Sequence, residues 1–305
     1  MHGVIEQLIP GALIFIMFGM GMELTAADFT RLARIPRPVL VGLFGHTLIL
    51  PAVALGMIML FPMPAAFALG LMVVAACPGG AVSNLWTHLA RGDVALAVTL
   101  TALSAAVAVV WVPILLNLSV TYLVGDSINI RLPLFPTMKH IAMLTVVPVS
   151  LGMLVNRLRP TFARRMDRPV RILSLLFLAL AVVGILVRAR GQLGNMMATA
   201  FVPVLGYNFL VMALGLLLAR LASLPRRQVI TLPMEIGVQN VIMAATLATA
   251  PQFLGRPEVG LVPSVYGFTM TLMAAGFIGL IRFAPGILGR EPAVEGAAQS
   301  EPGRA

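Results

Sequence analysis

The sequence predicts an all-α polytopic membrane protein, and three observations lead there. Of its 305 residues, 59% are hydrophobic and only 10% are charged, with a mean hydropathy of +0.99. A soluble domain is about 25% charged. The apolar residues fall in runs of about 20, the length that crosses a bilayer as a helix. No run alternates over ten residues as a membrane strand does, which excludes a β-barrel. A soluble enzyme, a secreted disulfide scaffold and a disordered chain are excluded on the same composition.

Nine runs read as membrane-spanning helices: 8–24, 38–61, 65–90, 94–117, 134–155, 170–187, 196–219, 228–250 and 259–281. Met1–Pro10 lacks the basic stretch of a cleaved signal peptide, so the first run is expected to remain as a span. With the N-terminus outside, the inside loops hold 16 of the 21 basic residues, six of them between Arg157 and Arg171. The outside loops hold Arg131, Lys139, Arg188, Arg190 and Arg256. Basic residues concentrate on the cytoplasmic side, so this asymmetry predicts an outside N-terminus, a cytoplasmic C-terminus and an odd span count. The net charge of +10 is thereby a matter of topology, and no nucleic-acid partner is expected. Residues 1–283 are expected to form one transmembrane domain. Residues 284–305, rich in Gly, Pro, Ala and Glu, are expected to form a disordered cytoplasmic tail. Cys77 is the one cysteine; it has no disulfide partner and reads as a packing residue.

Two spans are interrupted. The third carries Cys77-Pro78-Gly79-Gly80 at its middle, then Ser83, Asn84 and Thr87; the eighth carries Pro233, Glu235, Gly237, Gln239 and Asn240. Pro removes a helix donor and Gly weakens the helix, so both spans are expected to be broken. Irregular backbone at membrane depth is tolerated only inside protein or beside a watery cavity. Paired broken spans at corresponding places mark a transporter binding site. Here they are the third of spans 1–4 and the third of spans 6–9, and the two sets enter from opposite sides. Pro51, Pro113, Pro148, Pro203 and Pro263 are expected only to kink their helices.

Of the eleven acidic residues, Glu235 alone lies well inside an apolar run. A buried carboxylate costs several kcal/mol unless it is paired or hydrogen-bonded, about what burial of any such ion costs. No Lys or Arg sits at matching depth, so a bound metal cation or a proton is expected to supply the positive charge; the alternative is a protonated structural Glu. Gln239 is four residues on, Ser83 and Thr87 are four apart with Asn84 beside them, and Thr101 and Ser104 lie on span 4. Carboxylate, amide and hydroxyl oxygens suit a hard cation. Half-helix N-termini beyond the breaks suit an anion. Ser104 reads equally well as interhelical glue. His46, inside span 2, is either a hydrogen-bonded core histidine or a protonatable group. Motifs of hydrolases, P-loop proteins and dinucleotide-binding enzymes are absent, so no enzyme activity is expected.

Three stretches resemble the bile acid:sodium symporter family: Met17-Phe18-Gly19-Met20-Gly21-Met22; Cys77 to Asn84 continuing through Ala90-Arg91-Gly92-Asp93 to Thr101; and Glu235-Ile236-Gly237-Val238-Gln239-Asn240. The resemblance spans about residues 8–283 and implies a bacterial member whose nine runs stand for the ten helices, in two inverted five-helix repeats, that prokaryotic relatives often have. The repeats cover about 8–117 and 134–283, the first lacking one helix. It also implies a panel domain and a core domain, with two discontinuous crossing helices in the core. By position, Ser83, Asn84, Thr101 and Glu235 resemble the ligands of a first sodium ion. Glu235, Ile236, Val238 (the latter two by backbone oxygens) and Gln239 resemble those of a second; His46 stands where relatives have a glutamine of the second site, and Ala97 where they have a hydroxyl of the first. Asn84 and Asn240 match the substrate crevice; Ala81, Gly267 and Phe268 stand where relatives carry other residues, so a bile-acid substrate is not inherited.

The expected function is a sodium-coupled symporter of a small organic anion in the bacterial inner membrane, with the lipid bilayer as its surroundings and no obligate protein partner. The rivals are a cation/proton exchanger or proton-coupled anion transporter using Glu235 and His46, and a non-transporting membrane ligand sensor.

Overall fold

The computed structural model describes residues 2–123, 132–188, 191, 194 and 197–288. Its elements are α1 (His2–Glu23), α2 (Ala26–Arg34), α3 (Pro36–Leu60), α4 (Ala65–Ala76), α5 (Ala81–Leu89) and α6 (Val94–Leu123). They continue with α7 (Leu134–Leu158), α8 (Pro160–Arg188), α9 (Thr199–Leu221), α10 (Arg226–Gly237), α11 (Val241–Thr249) and α12 (Leu261–Phe283). Among the described residues, α3, α6, α7, α9 and α12 are long and apolar enough to cross a membrane. The molecule is a helical, multi-pass membrane protein. Helix overlies every apolar run, and the third and eighth runs are each two short helices, α4–α5 and α10–α11.

Local sequence explains the boundaries. α3 opens on Pro36, where a missing N–H and a preset φ suit the first turn. α2, which the apolar pattern did not mark, is started by Thr25 and Asp28: the Asp28 carboxylate accepts the Thr25 N–H and hydroxyl, both at 2.7 Å. Pro51 and Pro203 do more than kink. A proline ring collides with the carbonyl four residues back, here that of Thr47 or Thr199. Each of those residues lies in a widened π-helical turn, Gly45–Ile49 or Met197–Phe201. Likewise Thr145, three residues before Pro148, leaves helical geometry within α7. Pro285–Leu288, where the tail was expected to begin, form a 3-10 turn with Leu288 buried. The rest of that tail, with Arg290 and Arg304, lies outside the described residues, as do Arg131 and Arg190.

The broken helices occupy the middle of the molecule. Residues 229–237 of α10 and 241–248 of α11 are all buried, as is nearly all of α4. α3, α6, α9 and α12 pack around them. Large apolar side chains such as Leu40, Phe135 and Phe209 face outward, as a lipid-exposed surface requires. A second, smaller apolar cluster of Met22, Ala163 and Val170 joins α1, α7 and α8. There the backbones touch: a Cβ on Gly21 would overlap the Val149 carbonyl, and one on Gly152 the Phe18 carbonyl. The glycines of the Met17–Met22 stretch thus serve a close helix crossing.

Overpacking costs about 1–3 kcal/mol, more against backbone that cannot give. Gly21→Val should therefore lower the apparent Tm of detergent-purified protein. Gly11→Val, which meets nothing within 4 Å, should leave it unchanged.

Candidate functional site

Both interruptions end in extended backbone. Cys77 and Gly80 have ψ near 150° (150° and 149°), and Val238 has φ −118° and ψ 91°. Helix ends leave N–H and C=O groups without partners, and here the two unwound segments satisfy each other. Gly80 N donates to Val238 O and Asn240 N to Pro78 O, both at 3.0 Å, around an antiparallel bridge between Gly79 and Gln239. The approach needs both glycines. A Cβ on Gly79 would overlap Glu235 Oε1, and one on Gly80 would sit 2.8 Å from Gln239 O. The Asn240 side chain caps α11 by accepting Met243 N at 2.9 Å.

Glu235, in the last turn of α10, is fully buried. Its Oε2 accepts the Ser83 hydroxyl of α5 at 2.5 Å and its Oε1 the Thr101 hydroxyl of α6 at 2.6 Å. Among the described residues no basic side chain pairs with it. Two hydroxyl donors compensate part of the desolvation of a carboxylate, not its charge. Around it lie buried polar atoms that make no hydrogen bond: Asn84 Oδ1 and Nδ2, Gln239 Oε1, Asn240 Nδ2 and both ring nitrogens of His46. Each such atom costs about 1–3 kcal/mol if left so. A bound polar species is the economical explanation.

The residues expected for the first cation meet as follows. Ser83, Thr101 and Glu235 are hydrogen-bonded together, and Asn84 is buried beside Ser83 with its amide free. Of those expected for the second, the Val238 carbonyl accepts Gly80 N and the Ile236 carbonyl accepts Gln239 Nε2 at 2.6 Å, which leaves each one lone pair. His46 lies in the π turn of α3, and its Cε1 would be 3.5 Å from a Cβ on Gly79. Ala81 is half-buried at the start of α5 and Gly267 is buried. Phe268 is 53% exposed, on an outer stripe of α12 that continues through Leu272. Ser104 braces the break: it accepts Gly79 N at 3.3 Å and donates to Thr101 O at 3.0 Å. Among the described residues no three His, Cys, Asp or Glu side chains cluster as metal ligands. Of the unpartnered atoms, Asn84 Oδ1 and Gln239 Oε1 are oxygens; with the Glu235 carboxylate, the Ser83 and Thr101 hydroxyls and the Ile236 and Val238 carbonyls they make up the kind of oxygen set that a hard cation prefers.

Sequence reasoning missed Asn208 and Tyr266. Asn208 Nδ2 and Tyr266 OH both donate to the Gly237 carbonyl, at 2.9 and 2.8 Å, and cap the C-terminal end of α10. A polar amide and a phenol deep in otherwise apolar runs were the available signal.

A family model described as the Sodium Bile acid symporter family matches residues 10–196. The chain is 32% identical over 240 residues to the "Uncharacterized sodium-dependent transporter YocS" of Bacillus subtilis (strain 168), covering 77% of this chain and 71% of that one. It is 30% identical over 285 residues to the human "Ileal sodium/bile acid cotransporter", covering 90% and 79%. It is 29% identical over 235 residues to the rice (Oryza sativa subsp. japonica) "Probable sodium/metabolite cotransporter BASS2, chloroplastic", covering 77% of this chain but only 54% of that protein.

A side chain at the crossing has no room. Gly79→Ala should push Glu235 off its hydroxyl donors and lower the apparent Tm, whereas Gly279→Ala, with nothing within 4 Å, should not. Equal Tm values for the two variants would contradict the crossing geometry.

Proposed function

The chain belongs to the sodium bile acid symporter family, a family of transporters rather than enzymes, and on that premise we propose that it is a sodium-driven symporter of a small organic anion. Glu235 carries the reading: a fully buried carboxylate with two hydroxyl donors and no basic partner among the described residues. Ser83, Asn84, Thr101 and Glu235 hold the first sodium ion. The Ile236 and Val238 carbonyls, Gln239 and Glu235 contribute to a second. α4 and α10 end at the crossing, so their negative dipole ends favour cations there. α5 and α11 begin there, so their positive ends favour the anion, with Asn84 and Asn240 as polar anchors.

Cations neutralise Glu235 and order the crossing region; the anion then binds, the core moves against the panel, and both cargoes leave inside. The panel is α1, α7 and α8, joined by their own small apolar cluster although α1 and α7 also reach the main core through Leu13, Met17 and Ile141, and the remaining helices form the core. The inverted repeats are about 8–117 and 134–283, the first lacking one helix. In their favour, the second helix of each set carries a π turn at the same spacing before a proline, and the third is broken. Nine spans with the N-terminus outside, in a bacterial inner membrane, fit the arginine distribution.

A second reading concerns the other cation. Sodium prefers oxygen, and His46 offers nitrogen. Both its ring nitrogens are buried and unpartnered. On this reading a proton on His46 takes the place of the second sodium ion, or that site binds sodium weakly.

Proteoliposomes with an inward sodium gradient, screened with small carboxylates, sulfonates and sterol acids, test the main reading. Wild type should accumulate one class, and Glu235→Ala should abolish accumulation. Uptake with unchanged sodium dependence in Glu235→Ala would refute the role of that carboxylate. Cation-dependent proton flux without organic solute would identify an exchanger, and sodium-dependent ligand binding without any flux a sensor. For the second reading, uptake in wild type should rise with sodium without cooperativity, and His46→Gln should introduce it. Two-sodium cooperativity already present in wild type and kept in His46→Ala would sink it.

A further inference from the structure

The turn between α5 and α6, Ala90-Arg91-Gly92-Asp93, makes a second junction with α10, one helical turn below Glu235. Arg91 N donates to His88 O at 3.0 Å and Gly92 N to Thr87 O at 2.9 Å. This is a Schellman closure, whose left-handed position usually holds glycine. Here Arg91 takes that position, with φ +61°, and the glycine comes one residue later. The displacement has a cause across the interface. A Cβ on Gly92 would lie 2.8 Å from both Thr231 Oγ1 and Thr87 Cγ2. The glycine stands where α10 presses on the turn, while Arg91 bears the left-handed conformation. Beyond it, the fully buried Thr231 hydroxyl accepts Asp93 N at 2.8 Å and donates to Arg227 O at 2.9 Å. Asp93 Oδ1 in turn accepts Leu96 N at 3.1 Å and so caps α6.

Thr231 and Glu235 are four residues apart and share one face of α10. That face is tied to the α5–α6 hairpin at two levels: Thr231 grips its turn, and Glu235 receives Ser83 from one arm and Thr101 from the other. We propose that Thr231 is a positioning residue for the cation site, setting the height of α10 against the hairpin so that both hydroxyls reach the Glu235 carboxylate. The proposal rests on the reading of Glu235 as the sodium-binding carboxylate. A weaker 3.2 Å bond from Asp93 N to Arg227 O survives loss of the hydroxyl, so a weakened site is expected rather than an abolished one.

Sodium chloride titrated against potassium chloride at constant ionic strength is the probe. Radiolabelled sodium binding and tryptophan fluorescence give the half-saturation, and the Tm in potassium gives apo stability. Thr231→Val should raise the sodium half-saturation by about three- to tenfold, the range of one weakened hydrogen bond. Its apo Tm should stay near wild type, and Thr231→Ser should restore wild-type half-saturation. Equal half-saturation in wild type and Thr231→Val, or equal shifts in the Val and Ser variants, overturns the positioning role. If Thr231→Val does not fold, Gly92→Ala wedges the same contact and must raise half-saturation; no change there is equally fatal. Glu235→Gln separates the two ideas. If it loses saturable sodium binding while Thr231→Val is indifferent, only the positioning role falls. If wild type shows no saturable sodium effect, or Glu235→Gln keeps it, the carboxylate reading falls and takes the positioning role with it.

Discussion

A carboxylate buried in the middle of an apolar bundle is the constraint on which the rest of the structure depends. Glu235 needs hydrogen-bond donors, and its own helix supplies none, because the Thr231 hydroxyl one turn away is engaged with Asp93 and Arg227. Ser83 and Thr101 supply them from α5 and α6, so three helices must converge within hydrogen-bonding distance. That convergence is possible only if the backbone beside the carboxylate carries no side chain, and Gly79 meets this condition. The charge itself has no basic counterpart among the described residues, the imbalance that the proposed sodium ion would offset.

Breaking two helices at membrane depth exposes backbone groups that lipid cannot satisfy. The structure resolves this by pairing one break with the other, Gly80 with Val238 and Asn240 with Pro78. Neighbouring helices finish the task. Asn208 of α9 and Tyr266 of α12 both donate to the Gly237 carbonyl, and Ser104 of α6 accepts from Gly79. The crossing is therefore braced from several sides, which suits a site that must be preorganised. The Asn84 amide, Gln239 Oε1, Asn240 Nδ2 and the His46 imidazole remain buried there without hydrogen-bond partners. The small cluster of α1, α7 and α8 packs through bare backbone at Gly21 and Gly152, while α1 also lies against α11 of the crossing.

Much of this was legible in the residues. Apolar runs separated by arginine-bearing loops announce membrane helices, because burial in lipid acts on each segment independently and leaves its mark residue by residue. Pro78-Gly79-Gly80 and Glu235 to Asn240 announce breaks and a polar centre, because proline and a buried acid are costly wherever they stand. Other features were not legible. Pro51 and Pro203 read as plain kinks, yet each is preceded by a π turn, and the one in α3 carries His46 into the core. α2 was hidden because its start depends on the Thr25–Asp28 capping contact rather than on apolar spacing.

The sequence by itself determined the solvent this protein lives in, where its helices run and break, and which one acid lies at membrane depth. These are properties of single segments, set by transfer energies and by backbone chemistry. Only the tertiary structure decided which hydroxyls reach Glu235, that the Val238 carbonyl is already engaged by Gly80, and that α10 leaves no room for a side chain at Gly92. Those outcomes depend on distances between segments more than a hundred residues apart, as with Ser83 and Glu235, where close packing leaves one arrangement and spacing along the chain carries no information.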